Sequence, residues 1–311
     1  SERRFVSVCY YAYTAQLMAK ISEALKTDDC DAYAAKAKAY RNLAQEIKEE
    51  FQTRYVDADG DLKQKSQTAY LLALKQDLFP TEEARKKGLE TLTRKIAGNG
   101  NRLSTGFVGT AILNQTLSQF GESDTAYNLL LQRGNPSWLY SIDQGATTIW
   151  ERWDSYTKEK GFGPVSMNSF NHYSYGAVSE WMYRTMGGID IDETRPGFKH
   201  IVLQPVPDNR TEIPAGQERI NWVNASFPSC YGDIKSSWKK ENDGAVSYQI
   251  SIPANTTATL HLQLPTLDYV VEESGKAAVK AEGVSSITFM NGKAVLELQS
   301  GSYQFVVKKG K

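Results

Sequence analysis

The sequence predicts a multidomain chain with helices first and antiparallel strands second. Two observations carry that prediction. From Arg3 to about Met186 apolar residues recur at helical spacing, and after Gly187 they alternate with period two between Gly, Pro and Asn. A third is that the two textures are not interleaved, which separates an all-α unit from an all-β unit and argues against an α/β fold.

The helical part reads in order. Arg3–Lys26 comes first. Ala32, Ala35, Ala39, Leu43 and Ile47 fall three or four apart and mark one face of a helix over about 31–51. Ser66–Leu78 is stopped by Pro80. Thr81 opens the next helix with Glu83 in a near capping pattern, and Gly98 and Gly100 end it. Further helices are predicted near Gly109–Phe120, Ser123–Arg133, Thr148–Ser155 and Phe170–Met186. These paired helices suit either a solenoid or a closed toroid. No fixed-period repeat marks a solenoid, and the count of about eight falls short of the roughly twelve of a six-hairpin toroid.

Pro196, Pro205, Pro207 and Pro214 punctuate a connector. The strands follow as KHIVLQPV, AVSYQISI, ATLHLQL, SITFM, AVLELQ and YQFVV, with Asn291-Gly292 as a hairpin turn between two of them. The predicted domains are 1–195 and 196–311.

Composition narrows the function classes. Lys plus Arg and Asp plus Glu balance at 36 each, with 41% apolar residues. That balance argues against a nucleic-acid or anionic-membrane partner, which would need a basic face. Phe5–Ala19, the longest early uncharged run, is too short and polar to cross a bilayer. Cys9, Cys30 and Cys230 are scattered and odd in number, so neither a disulfide framework nor a zinc site is predicted. No metal or cofactor is expected. DADGD, Asp57–Asp61, is acidic like a calcium loop but lacks its spacing, and reads as a solvated turn. Three glycosylation sequons begin at Asn114, Asn224 and Asn255, a pattern frequent by chance. The chain begins at Ser1, and its start does not reveal its compartment.

The chemistry is predicted in GATTIWERWDSY, Gly145–Tyr156. Two readings of Glu151 stay open. Thr148-Ile-Trp-Glu151 matches a capping box, in which Glu151 only bonds the backbone of Thr148. Alternatively Glu151 is a carboxylate held among indoles that limit its solvation, with Arg152 acting against this if it points inward. Trp150 offers a face for the C–H side of a sugar. A second cluster, MNSFNHYSYG, gathers Asn168, Asn171, His172, Tyr173 and Tyr175, groups that bond hydroxyls when they are not structural. His200 and His261 lie in predicted strands and take no role. STGFVGT, Ser104–Thr110, reads as a pocket lining or a helix start.

SQTAYLLAL, RLSTGFVGT, PSWLYSIDQGATTIWERWDS, MNSFNHYSYGAVSEWMYR and PGFKHIVLQPVP stand here in an order that resembles bacterial α-L-rhamnosidases of glycoside hydrolase family 78. The resemblance runs from about Phe5 into the strands, including CYGDIKSSW. It implies a partial (α/α)6 barrel followed by an antiparallel β-sandwich. It implies that Glu151 is the general base and that His172 contacts rhamnose, with Trp150 and Asn171 beside them. It also implies inversion by two carboxyls about 6.5–9.5 Å apart. The family's general acid belongs to a segment resembling D-C-P-x-R-x-E followed by W-x-G-D, and no such segment occurs here. The expectation is therefore a C-terminal fragment carrying the base without the acid, nearly inactive alone. Its opened barrel would self-associate or pair with an upstream half. The alternatives are another inverting (α/α)6 glycosidase and a non-catalytic carbohydrate-binding remnant. The expected partner is a rhamnose-containing glycoside or polysaccharide, in a periplasmic, secreted or cytoplasmic setting.

Overall fold

A computed structural model describes residues 2–26, 31–266 and 268–310. Cys30 lies outside the described residues. The chain divides into two compact units, 1–176 and 177–311.

The first unit is helical. Its elements are α1 (Glu2–Ala24), α2 (Asp31–Tyr55), α3 (Gln67–Lys75), α4 (Glu82–Gly98), α5 (Phe107–Gln119), α6 (Ser123–Leu130) and α7 (Trp138–Asp143). Helix α1 packs on α2, α3 on α4 and α5, and α5 on α6. Helix α3 buries nearly every residue, from Gln67 to Leu74, whereas α4 shows the core only one face. The buried amide of Gln67 is satisfied at both ends: Nε2 donates to Arg102 O at 3.3 Å and Oε1 accepts from Ser104 N at 2.7 Å. Ser66 and Thr81 cap α3 and α4 as their side-chain oxygens accept from Ala69 N and Ala84 N. STGFVGT is a helix start with Gly106 as N-cap of α5. Asp57–Asp61 forms a turn in which Asp57 Oδ1 accepts from Asp59 N and Asp61 N. Cys9 is buried, and that burial pushes its thiol up to about 12, so it stays inert.

Two expected helices do not form as predicted. Thr148–Ser155 is a loop, and α7 lies just before it instead. Phe170–Met186 breaks into a 3-10 turn (Tyr173–Ala177), a short α8 (Val178–Trp181) and a π-helical turn (Met182–Met186). The small hairpin β1 (Tyr156–Thr157) and β2 (Gly161–Phe162) fills the loop region of the first unit.

The second unit is two sheets closed on one core. Its strands are β3 (Ile189–Ile191), β4 (His200–Leu203), β5 (Trp222–Ser229), β6 (Gly232–Lys240), β7 (Val246–Ile252), β8 (Thr257–Gln263), β9 (Tyr269–Glu273), β10 (Lys276–Ala277), β11 (Val284–Met290), β12 (Lys293–Leu298) and β13 (Gly301–Lys309). One sheet has the order β10-β9-β13-β7-β6-β5 and the other β11-β12-β8-β4-β3. Ile201, Leu260, Leu296, Ile234, Trp238 and Phe305 belong to the core they share. Pairing is antiparallel except for β4 beside β8. Asn291 and Gly292 turn at φ 48° and 70° between Met290 and Lys293, the backbone a two-residue hairpin requires.

The proline-rich connector before β5 is ordered by a buried ion pair. Arg210 and Asp208, 1% and 0% exposed, bond through Nε–Oδ1 at 2.9 Å and Nη2–Oδ2 at 2.8 Å, and Ile220 N adds a bond to Oδ2 at 3.0 Å. Gly188 must be glycine: its φ is +74°, and a Cβ would lie 2.0 Å from Pro205 N.

Candidate functional site

The segment around Glu151 is held by a facing loop, not by a helix. His172 N donates to Ile149 O at 2.8 Å, Glu151 N to Ser169 O at 2.9 Å, and Gly163 N to Ser155 O at 2.8 Å. Thr148 Oγ1 bonds Phe170 O, and Asn168 Nδ2 donates to Ser155 O at 3.1 Å. Residues 148–155 and 163–172 therefore run as a zipped pair closed by the β1–β2 hairpin. Their backbone groups find partners across the gap, so no helix is needed to satisfy them.

This overturns the capping-box reading of Glu151. No helix starts at Thr148. Instead Glu151 Oε2 accepts from Ser169 N at 2.9 Å, so residues 151 and 169 exchange two bonds, one through the backbone and one through the carboxylate. The carboxylate thereby gains a fixed direction. The side chain is half-buried, and Oε1 has no bond within the described residues.

The two tryptophans explain the placement. Trp150 and Trp153 are 7% and 9% exposed and anchor the loop on either side of Glu151 and Arg152. Trp153 stacks on Tyr175 at 3.8 Å and meets Trp138 edge-on at 5.3 Å, while Trp150 meets Phe170 edge-on at 5.3 Å. Trp138 Nε1 donates to Tyr175 O at 2.8 Å, and Ser141 Oγ to Trp153 O at 2.7 Å, so these buried rings bring few unsatisfied polar groups with them. Trp150 thus presents little face to solvent and walls a small cavity of about 70 Å³ with Trp138, Trp153 and Tyr175. Burial, then the charge of Asp154, holds the Tyr175 phenol above its usual range. Arg152 turns to Asp154, its Nη2 lying 3.2 Å from Oδ1. It therefore spends its charge on that neighbour.

His172 is fixed from two sides. Its ring stacks on Phe107 at 4.7 Å, and Nδ1 accepts from Ser174 N at 3.4 Å. An accepting Nδ1 puts the ring proton on Nε2, which leaves Nε2–H as a donor. Tyr173 stacks beyond it at 6.0 Å and is 85% exposed. Asn171 is exposed, with its backbone N bonded to Ser169 Oγ at 3.2 Å. Hence Glu151, Asn171 and His172 ride on the same loop pair, although 21 positions separate the outer two in sequence. Phe107, Ser155 and Ser169 were not among the residues singled out. Phe107 sits inside the STGFVGT run, where a lone aromatic at a small-residue helix start was the available signal. Ser155 and Ser169 gave no local signal, since their role is to bond backbone far along the chain.

The arrangement offers one oriented carboxylate, one imidazole donor and one exposed amide. That set can direct a water molecule and hold sugar hydroxyls.

Residues 1–186 match the bacterial alpha-L-rhamnosidase 6 hairpin glycosidase domain, and residues 188–277 the bacterial alpha-L-rhamnosidase C-terminal domain. An alpha-L-rhamnosidase of Streptomyces avermitilis is 37% identical across 97% of this chain, and one of Formosa agariphila is 36% identical across 97%. The chain spans 26% and 31% of the length of these two relatives. The crystal structure of the Streptomyces avermitilis enzyme complexed with L-rhamnose superimposes with a TM-score of 0.84 at 36% identity, covering 99% of this chain and 27% of that one.

Proposed function

We infer the function from one premise: this chain belongs to the bacterial alpha-L-rhamnosidase family. It contributes the water-activating side of a site that hydrolyses terminal α-L-rhamnosides with inversion of configuration. Glu151 is the general base. With Oε2 held by Ser169 N, Oε1 is positioned to accept the proton of the attacking water. His172 Nε2–H and the Asn171 amide take rhamnose hydroxyls, and Trp150 sets the loop beneath them. The observation that carries this reading is the Glu151–Ser169 bridge on the loop pair that also holds His172.

Inversion needs a second carboxyl to protonate the leaving oxygen. Asp154 is the nearest acid in sequence on this loop pair and is committed to Arg152. The acid therefore comes from a region upstream of this chain in a longer protein, consistent with the share of the relatives that the chain spans. Helix α1 leaves Tyr10, Tyr11, Leu17, Met18 and Ile21 exposed, an apolar surface that upstream helices would cover.

The test is proton NMR of rhamnoside hydrolysis by the full-length protein. The first-formed sugar is β-L-rhamnose under this reading, and α-L-rhamnose as first product overturns it. The isolated chain is expected to be nearly inactive, since losing the acid alone costs about 10²–10⁴-fold. Rapid hydrolysis of an aryl α-L-rhamnoside by this chain overturns the fragment reading.

A further inference from the structure

The second unit holds a groove of about 610 Å³ that the proposed reaction does not use. One side is α8 with the π-helical turn, and the other is β3, β5 and the segment before β4. Tyr183, Phe198 and Phe227 line it together with Glu180, Arg184 and Asp190. Phe198 and Phe227 lie 4.9 Å apart, and Tyr183 is 46% exposed.

The polar half of the groove is built rather than loose. Arg184 Nη1 donates to Glu180 Oε1 at 2.7 Å, and its Nη2 lies 2.8 Å from Asp190 Oδ1. Asp190 is 9% exposed and is held in turn by Ile191 N and Gln204 Nε2. Arg184 Nε is buried and has no hydrogen-bond partner among the described residues, a cost a folded chain rarely carries without reason. Tyr183 and Arg184 both sit in the π-helical turn, where Gly187 N donates to Met182 O at 2.8 Å. Such turns are rare and recur at functional sites. Gly187 permits close approach to β5, since a Cβ there would come 2.6 Å from that of Ala225.

We propose that this groove is a second, non-catalytic site for a neutral sugar unit. The proposal rests on the reading that the protein acts on glycosides. Aromatic faces take the C–H side of the ring, and the fixed carboxylates take its hydroxyls. Glu180 and Asp190 both bond the one Arg184 guanidinium, so they do not stand apart on two sides of a scissile bond as a catalytic acid and base would. The groove therefore binds and does not cleave. Two carboxylates against one guanidinium leave a net negative lining, which disfavours an anionic sugar.

The experiment is an amide NMR titration of this chain with methyl α-L-rhamnoside and, separately, with galacturonate. Saturable shifts at 179–191 are expected with the neutral sugar and not with galacturonate. Tyr183→Ala should weaken that binding at least about tenfold, while Glu151→Gln leaves it unchanged. Shifts confined to 169–174 overturn the groove and leave the hydrolytic reading standing. Shifts confined to 179–191 keep the groove and count against the hydrolytic reading. Equal response to galacturonate, or full binding by a folded Tyr183→Ala chain, overturns the proposal.

Discussion

Replacing Glu151 by Gln in the full-length protein separates chemistry from loop architecture. The native carboxylate accepts one bond from Ser169 N at 2.9 Å and shares a backbone bond with the same residue. A glutamine carbonyl can accept that N–H, so the clamp survives without its charge. A charged hydrogen bond contributes about 1.5–3 kcal/mol and a neutral one about 0.5–1.5, so the folding cost should be about 1 kcal/mol. The amide cannot take a proton from water. Losing a general base lowers kcat by about 10²–10⁴-fold, or about 2.7–5.5 kcal/mol of barrier. KM should hardly change if, as proposed, Asn171 and His172 carry the ground-state contacts. Glu151→Ala should lose turnover equally and also lose the clamp. The assay is kcat and KM on an aryl α-L-rhamnoside, with thermal unfolding of the same samples. A Gln variant that keeps kcat within about threefold refutes the base assignment. So does turnover in both variants that falls only in step with their stability.

Other substitutions test the scaffold. Arg210→Met leaves Asp208 charged and unpaired in the core, and should cost about 3–5 kcal/mol in denaturant unfolding. Burial alone would raise the Asp208 carboxyl, but bonds from Arg210 and Ile220 N outweigh it and hold the group below its usual range. The stability from this pair is therefore complete above about pH 4 and is lost as pH falls through the folded-state value, which acid titration of the native chain and of Asp208→Asn should show. His200 sits between Thr257 Oγ1 at 2.7 Å and Thr259 Oγ1 at 2.9 Å, and burial, then Arg195, lowers its pKa. Unfolding then takes up a proton below about pH 6.5, so stability should fall there by at most about 1.4 kcal/mol per pH unit, and His200→Gln should reduce that slope in urea unfolding at pH 7.5 and 5.5. Gly188→Ala should cost about 1–3 kcal/mol from its positive φ alone, with more from the Pro205 contact, read as a lowered thermal midpoint.

Much of the architecture was legible because its causes are local. Ser66 and Thr81 cap the helices that their positions announce. The alternation in β7, β8 and β12 matches their inward and outward faces, and Asn291-Gly292 turns as that dipeptide does elsewhere. β5 and β6 were not picked out from their pattern. In β6 the inward set is Ile234, Ser236 and Trp238, so a buried serine interrupts the apolar period.

The sequence by itself determined the change from helix to strand at Gly187 and the presence of Glu151 and His172 among aromatic and amide groups. Only the tertiary structure decided what they do to one another. The segment 148–155 has a helix-start pattern, yet its backbone bonds go to residues up to 23 positions away. Long-range partners together with the burial of Trp150 and Trp153 outweigh a local preference of a few tenths of a kcal/mol per residue, roughly the spread of helix propensities. The same physics turns the carboxylate from a cap into an oriented group, because its partner, Ser169, is near in space and distant in the chain.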